Sequence, residues 1–253
     1  MKKIFINIFF IGLCCPSQIL SQQYSQGSPE WLVEMFFAES SFPDKANYYT
    51  GEMIKEADEK TIGEELNGEG EIEFHQINAT NSTCVFAVEA QTESKTIDFY
   101  IYIVKDSDKW KITSLRRFFL PAFIYTVRDS LLNLKSQSSN DSVFLLSLKL
   151  FTASDKELIS YLKANVEKFQ ELSSLFINNE KDKANGALAS AGCNAIYTDK
   201  KYPGCIFIQI QKFENFEAGF IQAVDAILLP AISFDEFIYI EEAVEGWYVY
   251  RIM

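Results

Sequence analysis

The sequence predicts an α+β protein in which helices followed by an antiparallel sheet occur twice along the chain. Three observations carry this. Ser28-Pro29-Glu30 is a complete helix start leading into an apolar stripe, and Thr96–Lys105 alternates with the period of a strand. Ser154-Asp155-Lys156-Glu157 has the spacing of a capping box and heads a second helical stripe. The composition agrees: of 253 residues 48% are apolar, with only 6 Pro and 11 Gly, which excludes collagen-like, low-complexity and disordered chains.

In chain order, Met1-Lys2-Lys3 precedes an apolar run from Ile4 to Cys15, too short to span a bilayer and right for a signal-peptide core. Pro16 ends the run, and Ser17 to Ser21 offers a cleavage region, so residues 1–21 are expected to be removed near Ser21. The mature protein is then exported, to a periplasm or beyond. Acylation of Cys14 or Cys15 is the alternative. Leu13 is bulky where acylation wants a small residue, which argues against a lipid anchor. Of 23 Lys plus Arg, the leader takes two; the remaining 21 against 35 Asp plus Glu give −14. Such a surface argues against nucleic acid, and no later stretch is apolar enough to be a transmembrane segment.

Ser28 caps, Pro29 suits the first helical position, Glu30 meets the positive end of the dipole, and Trp31, Leu32, Met35 and Phe36 form one stripe. Pro43-Asp44 opens a more polar helical region reaching about Leu66. Four strands follow, Glu71–Asn78, Thr83–Gln91, Thr96–Lys105 and Trp110–Phe118, with Asp106-Ser107-Asp108 as a tight turn before the last. In the third strand Ile97, Phe99, Ile101 and Ile103 share one face, and Asp98, Tyr100 and Tyr102 the other. Short polar loops imply an antiparallel meander.

The capped helix, the second helical region and the ending Phe99-Tyr100-Ile101-Tyr102-Ile103-Val104-Lys105-Asp106-Ser107-Asp108-Lys109-Trp110-Lys111-Ile112 resemble the NTF2-like (cystatin-like cone) superfamily, most of all its small exported bacterial domains. The likeness covers about residues 28–118. It implies a curved sheet wrapped around a helix, with a cone-shaped cavity, and no particular activity. NTF2-like isomerases and dehydratases use cavity Asp, His or Tyr as acid and base. Here the resemblance points to His75, Glu52 and Tyr100 as catalytic candidates, and to Tyr48, Tyr49, His75, Tyr100 and Tyr102 as a ligand-binding set.

Leu120-Pro121-Ala122-Phe123 closes the first half, giving an NTF2-like domain over 28–122 and a second α+β domain over 123–253. Lys135 to Asp141 reads as a polar link and Ser142 to Phe151 as a short apolar helix. Behind the Ser154 cap, Leu158, Leu162, Val166, Phe169, Leu172 and Phe176 predict one helix to about Asn178. Asn179 to Gly192 reads as a loop. Strands are expected near Asn194–Thr198, Cys205–Phe213, Gly219–Ala226, Phe237–Glu242 and Trp247–Ile252. The segments Ile238-Tyr239-Ile240-Glu241-Glu242 and Gly246-Trp247-Tyr248-Val249-Tyr250-Arg251 are similar to a C-terminal domain of exported Bacteroidetes-type proteins, a likeness that brings no chemistry.

Cys84 reads as a buried strand thiol. Cys193 and Cys205 are the candidate disulfide of an oxidising compartment, although a hairpin turn at Tyr202-Pro203-Gly204 would set them out of register. The single His75 lies in Glu73-Phe74-His75-Gln76-Ile77, where it can point to either side; the plainer reading is a surface strand histidine among carboxylates. There is no G-x-S-x-G, P-loop, G-x-G-x-x-G, H-E-x-x-H or C-x-x-C, and the acidic run Glu56 to Glu65 lacks an EF-hand loop, so no cofactor or metal is expected. Tyr100, Tyr102, Tyr239, Tyr248 and Tyr250 alternate as outward strand residues, as on many binding faces. The sequence therefore favours an exported, non-enzymatic binding protein for a small molecule or a protein. The alternatives are a secreted inhibitor or immunity-type protein for a basic partner and an NTF2-like small-molecule isomerase or dehydratase.

Overall fold

A computed structural model describes residues 24–93 and 95–253; the expected signal peptide, with Cys14, Cys15 and Ser21, lies outside them. The Ser28 hydroxyl accepts from the Trp31 N–H and caps α1 (Pro29–Phe37). The polar stretch after it is not one helix. It forms two 3₁₀ turns, Lys45–Tyr48 and Gly51–Glu56, and then the short α2 (Ile62–Leu66), started by a Thr61/Glu64 capping box. Asp44 and Gly51 both take positive φ, which breaks any continuous helix. The turns line the edge of the first sheet, where the Thr50 N–H donates to the Ile112 carbonyl at 2.9 Å. Gly63 sits so close to the end of α1 that a Cβ there would fall 2.1 Å from the Ala38 carbonyl oxygen.

Strands β1 (Glu71–Ala79), β2 (Thr83–Gln91), β3 (Thr96–Asp106) and β4 (Lys109–Arg117) pair antiparallel in chain order. Ser107 and Asp108 both adopt positive φ in the β3–β4 turn, whose backbone twist suits the two-residue hairpin. One face of this sheet, with Phe86, Val88, Ile101 and Ile103, packs on Leu32, Val33, Phe36 and Phe37 of α1.

The helices of the second half are α3 (Ala122–Leu132), α4 (Ser139–Phe151), α5 (Asp155–Ala164), α6 (Val166–Ile177) and α7 (Lys181–Ser190). Its sheet comprises β5 (Ala195–Tyr197), β6 (Cys205–Phe213), β7 (Phe216–Ala223), β8 (Phe237–Val244) and β9 (Trp247–Ile252), in the spatial order β5-β6-β7-β9-β8. Part of the expected link is already α4, which starts at a Ser138/Asp141 capping box. The expected single helix breaks at Asn165, whose side-chain amide donates to the Tyr161 carbonyl at 2.8 Å and so competes with the helical ladder. The expected loop holds α7, of which only Ala184 and Leu188, one turn apart, are buried.

The second sheet buries Ile208, Ile210, Phe220 and Val249 beneath Leu148, Leu158, Phe169 and Leu172 of α4–α6, and this core is continuous with Val85, Ala87, Tyr100 and Tyr102 on the other face of the first sheet. Its opposite face packs Phe207, Ile221, Phe237 and Tyr250 under Tyr202 and Leu228. The strand tyrosines expected to point outward are therefore all buried. Tyr100 and Tyr102 meet the second half, and Tyr250 donates to the buried Glu217 at 2.7 Å. No disulfide joins Cys193 and Cys205. Asn194 pairs with Gln209, far along β6 from Cys205, and the two thiols lie in different cores, donating to the carbonyls of Ala191 and Leu228.

Candidate functional site

The seam between the halves is where charge is buried. Alternation along β3 puts Asp98, Tyr100 and Tyr102 on the face that meets the second half. Ser154 caps α5 and leaves Asp155 at its first position, where its free N–H donates to Asp98 Oδ2 at 3.1 Å. The Asp155 carboxylate accepts from the Tyr100 hydroxyl at 2.7 Å and from Arg251 Nε at 3.1 Å. Arg251, only 1% exposed, also donates to the carbonyls of Phe151 and Ala153, and its guanidinium lies 4.3 Å over the Phe118 ring. One side chain thus joins β9, the end of α4, the start of α5 and the end of the first sheet.

Burial and the neighbouring Asp155 push the Asp98 carboxyl well above the ordinary carboxylate range. Burial also pushes Asp155 up, but Arg251 and Tyr100 donate to its charged form. Asp98 is therefore the member of the pair that takes a proton first. Tyr100 and Tyr239, with ring centroids 5.2 Å apart, are raised well above the usual phenol, first by burial and then by carboxylates, Asp155 and Asp98 for Tyr100 and Asp155 and Glu241 for Tyr239.

This network opens into a cleft of about 620 Å³ lined by Ile72, His75, Asp98, Lys156, Tyr239 and Glu241, among others. His75 Nε2 stands 2.8 Å from Glu241 Oε2, and the Tyr239 hydroxyl donates to the same oxygen at 2.8 Å. The hydrogen bond to Glu241 raises the imidazole pKa against the opposing pull of burial. Lys156 donates to Glu89 at 2.7 Å and to Glu73, placing a cation at the rim between two carboxylates. Among the described residues no group of three or more His, Cys, Asp or Glu is arranged to hold a metal ion.

The residues singled out in the sequence divide between places. His75 and Tyr100 belong to the seam, and Tyr102 lies deeper in it, donating to the Ile238 carbonyl at 2.8 Å. Tyr48 and Tyr49 are on the far side of the first sheet, where Tyr48 stacks on Phe42 and Tyr49 is buried beside Phe36. Glu52 sits at the β4 edge and is spent on Ser114 at 2.8 Å and on a bidentate pair with Arg116, which holds its pKa below the usual range. The five-residue ligand set is not brought together. Asp98, Asp155, Lys156, Glu241 and Arg251 were not foreseen as site residues, and Tyr239 was expected only as one of several outward strand tyrosines. One signal was present: in Trp247-Tyr248-Val249-Tyr250-Arg251, alternation places Arg251 on the face of Trp247 and Val249, where an arginine needs a buried partner. No protein-family model, curated protein or solved structure matches this chain.

Proposed function

We propose that the protein is an exported binding protein without catalytic activity, and that its ligand enters the seam cleft. The carrying observation is a cleft of about 620 Å³ that presents His75, Lys156 and Glu241 at its rim and Asp98 further in. A non-catalytic role is supported by how these groups are spent. The imidazole is paired with Glu241, Lys156 with two carboxylates, and Asp155 with Arg251 and Tyr100. Each bond crosses between the halves or holds the cleft's shape, as pre-organised binding sites require. A capped helix on a four-stranded meander supports the NTF2-like resemblance of the first half, and the basic start with its short apolar core supports export.

Native mass spectrometry of protein recovered from outside the cytoplasm tests this reading. The expected chain lacks residues 1–21 and carries a non-covalent small-molecule adduct. The adduct should be absent from Glu241→Ala, and adding it back to the wild type should move the resonances of the single imidazole. An adduct retained by Glu241→Ala would place the ligand elsewhere. The chain His75–Glu241–Tyr239 favours one second reading, acid–base catalysis in the same cleft. Turnover of the adduct that falls by about 10² to 10⁴ in His75→Ala would establish it.

A further inference from the structure

The junction of β3, β4, α3 and α5 holds a second recess, of about 490 Å³, sharing no lining residue with the seam cleft. Lys95, Arg117 and Arg128 converge on it, with Phe119, Tyr125 and Ile97 supplying apolar wall. Three cations in one recess stand out in a chain with 35 acidic and 23 basic residues. The chain has four arginines. Arg116 pairs with Glu52, Arg128 with Asp129, and Arg251 with Asp155. Among the described residues, Arg117 alone has neither a carboxylate nor any hydrogen-bond acceptor. What it has is aromatic: its guanidinium lies 4.7 Å from the Phe119 centroid and 5.9 Å from that of Phe99. A guanidinium held over aromatic rings by cation–π attraction keeps its N–H donors free for an acceptor. Phe119 itself is 56% exposed, an apolar surface next to those donors. Arg128 is steadied by the Thr152 hydroxyl at 2.9 Å and lies over Tyr125. The one carboxylate lining the recess, Glu157, is engaged by the Ser154 N–H at 2.7 Å in the α5 cap.

We propose that this recess binds a small organic acid, its carboxylate taken by the Arg117 fork with Lys95 alongside, and its flat apolar body laid on Phe119 and Tyr125. A planar carboxylate matches the guanidinium in two parallel hydrogen bonds, and an unsaturated or aryl body gains from the exposed rings. A purely inorganic anion would use the cations and leave the rings bare.

Fluorescence titration with 1-naphthoate, using the full exported chain, tests the assignment. Wild type should bind saturably, and the neutral 1-naphthamide about tenfold or more weakly, since charge-assisted bonds are lost. Arg117→Gln should lose about tenfold or more, Arg117→Lys less, and Lys95→Gln should weaken binding even if the Arg117 variants fold poorly. Lys156→Gln, in the seam cleft, should leave the affinity unchanged. Equal binding of the amide, or full affinity in both Arg117→Gln and Lys95→Gln, overturns the proposal. Competition by inorganic phosphate as effective as by benzoate would overturn the organic-acid assignment.

Discussion

Asp98 and Asp155 face one guanidinium, and that arithmetic sets the behaviour of the seam. Arg251 and Tyr100 serve Asp155, leaving Asp98 with a single backbone N–H. Its raised pKa means that the folded protein holds the Asp98 proton more tightly than the unfolded chain does. The sign follows: this contribution is complete below the ordinary Asp value of about 3.9 and is lost as pH rises through the folded value. Asp98→Asn keeps an acceptor for the Asp155 N–H and removes the titration. Urea unfolding as a function of pH should therefore show the variant gaining on wild type as pH rises above the ordinary Asp value. A pH-independent difference would mean that Asp98 is not the proton holder. At this scale the sequence was partly legible. As the only histidine, His75 drew attention, but its partner Glu241 lies 166 residues away and no local pattern announces the pair. Asp98 was placed correctly on the face of Tyr100 and Tyr102. What could not be read was that a second sheet and α5 cover that face, burying Tyr100 and Tyr102 and leaving Asp98 half-buried in the cleft.

Among the elements, those with strong local chemistry were legible and those with weak chemistry were not. The caps of α1 and α5 and the alternation of β3 are local, and each appears where its residues put it. The helix α7 rests on Ala184 and Leu188 in a run of Lys, Asp, Asn and Ser, too faint a stripe to separate from a loop. In α3, Phe123, Val127 and Leu132 remain exposed, so no polar face marks it as amphipathic. Between α3 and α4 every residue from Asn133 to Ser138 is exposed, and Lys135 lies in the middle. Limited trypsin treatment should cut first after Lys135, ahead of Lys181 and Lys183 in α7. The two products should still elute as one species from a gel-filtration column, because a single buried core and the hydrogen bonds from Tyr100 to Asp155 and from Tyr102 to the Ile238 carbonyl span the cut. Separate elution without denaturant would show that the seam is weaker than its packing. A first cut inside α7 would show that this helix opens more readily than the link.

For the molecule as a whole, α+β architecture and the meander of the first half were legible because both depend on neighbours in sequence. The docking of one half on the other was not, because it depends on contacts between residues such as Tyr102 and Ile238, 136 apart. The same separation has a kinetic consequence. The first sheet needs only hairpin closures between consecutive strands, whereas the seam must wait for a loop of a hundred residues or so to close, at an entropic cost that grows with its length. Until then Val85, Ala87, Tyr100 and Tyr102 form an uncovered apolar face on a sheet that has already assembled, the situation in which collapsed intermediates associate. The seam bonds should consequently form on the native side of the rate-limiting barrier. Tyr100→Phe deletes one of them, so stopped-flow measurements should show most of its destabilisation as faster unfolding, with refolding slowed no more than about twofold. If the refolding rate instead fell in step with stability, the two halves would be finding each other before either is finished.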